Sequence, residues 1–220
     1  MRRGAIVLFV GISLILSACS TSPPKVEQLF WQLNLVKNPA EKGAYERLSF
    51  FVQVSLPDGL SDLDSVYVLN DGAELYWKLT PEDWETSDRD GELWVGSNRI
   101  EMADRSPLPR GRYRVILSNL SGERALTDFY VGADRLDPAA APFPSVRVEG
   151  GRLRVESSLA NTEVWTYDPA GRIARAIEAP SAEVPLSAVL PPQRAGTGGS
   201  SIYVYGYDKE CGCGLISGPW

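Results

Sequence analysis

The residues best placed to carry chemistry in this sequence are its three cysteines, because the 220-residue chain contains no histidine. Without histidine, a Ser-His-Asp triad, a Cys-His pair and a histidine-ligated zinc site are all excluded. Cys19 closes an apolar run, and the other two cysteines form the sequence Cys211-Gly212-Cys213 near the end of the chain. Thiols can be acylated, oxidised or used as metal ligands, so their surroundings decide which chemistry applies.

Cys211 and Cys213 are candidates for a structural disulfide in an oxidising compartment. Residues two apart have Cα atoms roughly 5.5–7 Å apart, which just reaches the usual range for a disulfide. Two free thiols, a strained redox-active pair and a bond to another chain are the alternatives. We predict no metal site here, since two thiolates lack further ligands.

The first eighteen residues have the three parts of an export signal: a basic head, an apolar middle and small residues at the end. Arg2 and Arg3 form the head, and residues 5–18 form the apolar run. A run of 10–14 residues suits a signal peptide, whereas a membrane-spanning helix needs about 20. The segment 1–18 is therefore predicted to be a cleaved signal peptide.

The sequence Leu16-Ser17-Ala18-Cys19 resembles the lipobox of bacterial lipoproteins, an aliphatic residue and two small residues before a cysteine. The resemblance covers about the first twenty residues. It implies that the Cys19 thiol receives a diacylglycerol, that the signal is cut between Ala18 and Cys19, and that the new amine is acylated, for example with palmitate. Two or more acyl chains anchor a protein stably to a membrane.

The resemblance also implies a location. The mature chain would begin with a lipidated tether, residues 19–25, and belong to the cell envelope. The outer membrane is favoured if the cell has one. Loss of Arg2 and Arg3 leaves 20 basic and 28 acidic residues, a net charge of −8. No cluster of Lys and Arg is visible, so we predict no nucleic-acid partner. For the same reason, the lipid and not a polybasic patch would attach the protein to the membrane.

The body of the chain is predicted to be all-β. Leu48, Phe50, Val52 and Val54 alternate with mostly polar residues, as expected for half-buried antiparallel strands. Frequent turn signals between such runs favour sandwiches. We predict two small antiparallel, immunoglobulin-like β-sandwich domains, 26–132 and 145–220, separated by a Pro/Ala-rich linker, 133–144.

The start of the second predicted domain reads as a hairpin. If Gly150 and Gly151 form a two-residue loop, Val148 faces Leu153 and the pair one step further out, Val146 and Val155, also face each other. A second hairpin is predicted around residues 168–171.

Two stretches resemble known modules. Residues 111–131 look like the closing hairpin of bacterial immunoglobulin-like domains, with a Gly-x-Tyr strand, a turn and a final strand. Residues 201–220 resemble the last two strands of a fibronectin type III module. These families are mostly spacers and binding modules, which the resemblance implies for this chain without deciding its function.

Aromatic residues provide the one indication of a recognition surface. Tyr203, Tyr205 and Tyr207 share one face of a predicted strand, and Trp165 and Tyr167 join them if their strand is a neighbour. Such a strip could stack on sugar rings or anchor a protein partner. The alternative is that these rings cover a sheet or pack against an adjoining domain.

Other motifs are weaker. Residues 22–25 match Ser-x-x-Lys but lie in the tether, and residues 196–201 are Gly-rich but lack the lysine and helix of a phosphate loop. Residues 86–91 resemble a fragment of a calcium loop, or are a solvated acidic turn.

We therefore predict a non-enzymatic envelope lipoprotein that binds or spaces another envelope protein, with no cofactor and no metal. One alternative is a carbohydrate or small-ligand binder that uses the aromatic face. A second is an enzyme with a carboxylate or thiol mechanism.

Overall fold

A computed structural model describes residues 22–132, 137–169, 171, 173–179, 183–190 and 201–220. The predicted signal peptide, Cys19 and residues 196–200 of the Gly-rich segment lie outside the described residues. The all-β class is confirmed: fifteen strands and one four-residue helix form the described chain. No described helix has the length and hydropathy needed to cross a membrane.

The first eight strands come from the first predicted domain, and two 3₁₀ turns, Leu60–Asp62 and Asp71–Ala73, flank the third of them. The strands are β1 (Lys25–Lys37), β2 (Tyr45–Ser55), β3 (Leu63–Asn70), β4 (Leu75–Leu79), β5 (Glu85–Arg89), β6 (Glu92–Ile100), β7 (Gly111–Asn119) and β8 (Arg124–Val131).

The remaining strands come from the second predicted domain, which also contains the short helix α1 (Leu186–Val189). They are β9 (Ser145–Glu149), β10 (Arg152–Glu156), β11 (Ala160–Tyr167), β12 (Ile173–Glu178), β13 (Val184–Pro185), β14 (Ser201–Asp208) and β15 (Cys213–Ser217).

One long sheet runs through both segments, in the order β12-β11-β14-β15-β1-β2-β6-β5. The joint is the pairing of β15 with β1, from Asn34 opposite Gly214 to Lys37 opposite Ser217. It is the one parallel pair among the described strands; the other pairs are antiparallel, as predicted. The two predicted domains thus share a sheet, and whether each folds alone stays a prediction.

Two smaller sheets pack on the same face of the long sheet. The four-stranded sheet, β4-β3-β7-β8, covers β1, β2 and β6, and the three-stranded sheet, β13-β10-β9, covers β11 and β14. Leu33 and Leu35 lie two residues apart, on the same face of β1. Leu35 lies opposite Leu215 of β15, and Leu215 lies opposite Gly206 of β14, two residues from Val204. Because this chain of neighbours joins both cores, the covered face is continuous, and we call the opposite face the open face.

The alternation seen in the sequence decides what is buried. Phe50 and Val52 of β2 and Val115 and Leu117 of β7 are fully buried between the long and four-stranded sheets. The hairpin β9–β10 has the predicted register, with Val148 opposite Leu153 and the outer valine pair also matched, across glycines at positive φ. Val148 is the exception in this hairpin, because its side chain is 47% exposed and not buried.

A buried tyrosine ties the hairpin β7–β8 to the loop before it. Tyr113 is fully buried, and its hydroxyl donates a 2.8 Å hydrogen bond to the carbonyl of Pro109.

Candidate functional site

The predicted aromatic residues lie together on the open face of the long sheet. β11 pairs with β14 so that Trp165 is opposite Tyr203, which places alternate residues of both strands on one side. The rings of Trp165 and Tyr205 stack with centroids 4.7 Å apart and an angle of 8°, and Tyr167 contacts Tyr203 at 4.7 Å. Tyr207 continues the same face. The structure therefore brings all five together.

These rings pack mainly on one another. Trp165 is 9% exposed and Tyr167 is 6% exposed, while the tyrosines of β14 are half-buried. Val36 and Ile216 belong to the same cluster and are also buried. Because Trp165 and Tyr167 are buried and the rings contact one another, the cluster is not a free stacking platform, and a ligand role for it stays a prediction.

A polar network lies beside the rings. The Gln32 amide donates to the Tyr205 hydroxyl at 2.8 Å and to the Asn34 side-chain oxygen at 3.2 Å. The Asn34 amide donates in turn to Ser49 at 3.0 Å, inside the protein. Gly214 makes room for this network, since a Cβ there would lie 2.0 Å from the Asn34 side-chain oxygen. Sequence analysis missed these residues, because polar residues alternating along a strand normally face water.

An arginine site adjoins the cluster. Arg47 donates from Nε to Glu101 at 2.8 Å and from Nη2 to the Tyr45 hydroxyl at 2.7 Å, and its side chain is 14% exposed. The Arg105 guanidinium lies 4.7 Å from the centre of the same Tyr45 ring and pairs with Glu41. Cations over tyrosine rings are attracted by the ring quadrupole, so this group holds the loop after β1 against β2.

The long sheet curls towards its open face. Gly171, after β11, lies so close to β6 that a Cβ there would be 3.2 Å from Arg99 Nη1. Burial raises the pKa of Tyr167, Arg47 opposes this rise, and Glu85 of β5 adds to it. Charges on the far strands influence Tyr167 because the curl brings both ends of the sheet towards each other. The open face is therefore concave.

Buried tyrosines predict a loss of stability in alkali. Burial is the main cause that raises the pKa of Tyr113 to about 12 and the pKa values of Tyr45, Tyr203 and Tyr205 above the usual 10. Unfolded tyrosines ionise near pH 10, so stability is complete below pH 10 and is lost as the pH rises towards 12. Tyr113 alone would contribute about 2–3 kcal/mol to this loss. Part of the tyrosinate absorbance should therefore appear only together with unfolding, and complete ionisation of all the tyrosines near pH 10 in the folded protein would contradict the prediction.

The other predicted sites are placed as follows. Cys211 and Cys213 form a disulfide with Cα atoms 5.3 Å apart, at the turn between β14 and β15. Residues 86–88 of the calcium-like fragment lie in the extended strand β5, and the Asp88 carboxylate accepts a bond from the Gly91 amide. Within the described residues, no group of three or more His, Cys, Asp or Glu side chains could hold a metal ion.

Comparison with known proteins gives little further identification. No family model matches the sequence, and no curated protein matches it. Among solved structures, the chain is similar to Tp47, the 47-kilodalton lipoprotein of Treponema pallidum, at 15% identity and a TM-score of 0.35, over 92% of this chain and 52% of Tp47. It is also similar to dimeric latent PorU from Porphyromonas gingivalis, at 15% identity and a TM-score of 0.33, over 91% of this chain and 21% of PorU. The chain spans about half the length of Tp47, and similarity at this level carries no functional argument.

Proposed function

We propose that this chain is a lipid-anchored protein of the bacterial cell envelope that acts as a non-enzymatic scaffold for another envelope component. The observation that best supports the scaffold role is the position of β1, which lies in the middle of the long sheet and is bonded to β2 on one side and β15 on the other. A force on this strand is shared by both segments of the chain. Such a body resists bending between an anchor and a partner.

The anchor is proposed from the sequence Leu16-Ser17-Ala18-Cys19. β1 begins at Lys25, six residues after Cys19. Six residues span at most about 20 Å when fully extended, so acylation of Cys19 would hold the sheet close to the membrane surface. A short tether on a rigid body suits a spacer better than it suits a freely diffusing binder.

The anchor is tested by Cys19→Ala. This change should remove the acyl label and release the protein from the membrane fraction, because no other residue offers a thiol in lipobox context. The matched control is Cys211→Ser with Cys213→Ser, which removes the other two thiols and should leave labelling intact. Unchanged labelling in Cys19→Ala would refute the anchor.

The scaffold role is tested by crosslinking in intact cells, capture of the tagged protein and mass spectrometry. An envelope protein captured reproducibly with the parent chain, and lost with Cys19→Ala, would support the role. If nothing is captured above background, the scaffold proposal fails and small-ligand binding moves ahead.

Small-ligand or carbohydrate binding at the aromatic cluster is the second candidate. It is favoured by the half-buried Tyr203 and Tyr207, which lie on the concave face, and by the charge of Arg47, which influences Tyr203. Glycan-array binding that is lost in Tyr205→Ala would support this candidate. Absence of any glycan binding by the parent protein would count against it.

A further inference from the structure

The four-stranded sheet has an outer face, turned away from the long sheet, that carries exposed apolar rings and side chains. Tyr76 is 65% exposed, Leu126 is 62% exposed and Tyr130 is 61% exposed. Their neighbours in the same strands, such as Phe129 and Val131, are buried, so alternation alone assigns the exposed residues to the outer face. Large apolar residues that gather on one exposed face mark binding sites.

Strand pairing arranges this face in two rows across the sheet. One row runs through Tyr76, Leu69, Arg114 and Asp128, in the order of the strands β4, β3, β7 and β8. The next row runs through Lys78, Tyr67, Ile116 and Leu126.

The rows are flanked by two further pairs, and together they cover one side of the sheet. Arg112 lies opposite Tyr130, and Ser118 lies opposite Arg124. Four strands at about 4.8 Å spacing make the area about 15 Å wide.

The charge of the face is opposite to that of the whole chain, which is −6. Two of its arginines hold carboxylates: Arg112 bonds Asp128 at 3.0 and 3.1 Å, and Arg114 bonds Asp71 at 2.8 and 3.1 Å. Within the two rows and their flanking pairs, the two other cations add positive charge with no further acidic residue.

Lys78 and Arg124 are these two cations. Among the described residues, neither has an acidic partner within 4.0 Å; Lys78 Nζ lies 5.6 Å from the centre of the Tyr67 ring. Four cations thus accompany two carboxylates, and the excess favours an anionic ligand.

We propose that the outer face of the four-stranded sheet binds an anionic polysaccharide. The apolar faces of sugar rings would contact Tyr76 and Tyr130, and carboxylate or phosphate groups along the polymer would pair with Arg124, Lys78 and the guanidinium edges of the two paired arginines. A protein is the competing occupant, because Tyr and Arg are also enriched in protein interfaces. The excess of cations over carboxylates favours the polyanion. This inference goes beyond the proposed function, because it adds a polysaccharide ligand on a face that the protein-capture experiment does not test.

The test measures retention of the full chain, in a non-ionic detergent, on immobilised polygalacturonate and on neutral dextran. We expect retention on polygalacturonate only. Tyr76→Ala with Tyr130→Ala should weaken it at least about tenfold, because two aromatic contacts are lost. Arg112→Gln with Arg124→Gln should weaken it similarly, and raising the salt from about 0.1 to about 1 M should do the same by shortening the Debye length from about 10 to about 3 Å.

The matched control variants remove the same types of side chain from the other two sheets. Phe30→Ala removes an aromatic ring that is 46% exposed on the long sheet, and Arg147→Gln with Arg154→Gln removes two exposed arginines from the three-stranded sheet. Retention of these variants should match that of the parent protein.

Four results would overturn the proposal: no retention of the parent chain, equal retention on dextran, equal losses in the control variants, or binding to vesicles with phosphatidylglycerol but not to polygalacturonate. The detergent assay does not need the anchor, and Cys19→Ala protein should be retained like the parent. Failure of the anchor and failure of this face are therefore distinguishable.

Discussion

Replacing Arg110 by methionine should lower the free energy of unfolding by about 3–5 kcal/mol, because the change leaves a buried carboxylate without its cation. Glu46 is 4% exposed, and its two oxygens each accept a 2.7 Å bond from Arg110. The Leu108 amide donates a third bond at 2.9 Å. This pair fastens the loop before β7 to β2, so its loss should also loosen the joint between the two sheets. Urea unfolding of the purified full chain measures the effect.

Two further variants separate burial from charge. Arg112→Met breaks an ion pair of similar geometry whose side chains are 72% and 47% exposed, and it should cost less than about 1 kcal/mol. Glu46→Met combined with Arg110→Met removes both charges and should recover most of the loss, apart from the unpaired Leu108 amide. Equal losses for Arg110→Met and Arg112→Met would show that burial is not the cause.

The strands and hairpins of this fold could be predicted from sequence because a period of two reports which side chains are buried. The faces of β2 and β7 follow their alternation, and the β9–β10 register follows from two glycines and four apolar residues. These features are local: each depends on residues within about a dozen positions. Local patterns therefore carried the fold class and much of the core.

The joint between the two segments could not be predicted this way. β1 and β15 are about 180 residues apart in sequence, and their alternation says which face is buried but not which strand is the neighbour. The same limit applies to the aromatic cluster. Its residues were placed on one face correctly, but the burial of Trp165 and Tyr167 depends on the curl of the long sheet and on Val36 and Ile216 from other strands.

The polar part of the site was missed for a related reason. Gln32 and Asn34 alternate with apolar residues in β1, so they suggest a solvent-facing side, yet Asn34 is 1% exposed and bonded to Ser49. Only Gly214 carried a signal, since glycine inside a strand often marks a close approach by another group. Sequence alone does not tell which group approaches.

A glycine in β6 should be the most sensitive position of the long sheet to a single added methyl group. A Cβ at Gly96 would lie 1.9 Å from the carbonyl oxygen of Phe50 and 2.6 Å from the Cα of Phe51. Both are backbone atoms of the neighbouring strand β2, so no rotamer change can relieve the contact. Gly96→Ala should therefore force β2 and β6 apart and lower the free energy of unfolding by about 3 kcal/mol or more.

Two other glycines make the comparison quantitative, because the cost should follow what the new methyl group meets. At Gly206 a Cβ would lie 2.6 Å from Leu159 Cδ1, which can move, and 2.8 Å from Leu159 Cβ, which moves only with the backbone before β11. Gly206→Ala should therefore cost less than Gly96→Ala, about 2 kcal/mol. At Gly132 a Cβ would meet nothing within 4 Å, so Gly132→Ala should be neutral or slightly stabilising through the unfolded state. Urea unfolding should give the order Gly96, Gly206, Gly132. If Gly96→Ala were as mild as Gly132→Ala, the close approach of β2 to β6 would be wrong, and with it the place of β6 in the long sheet.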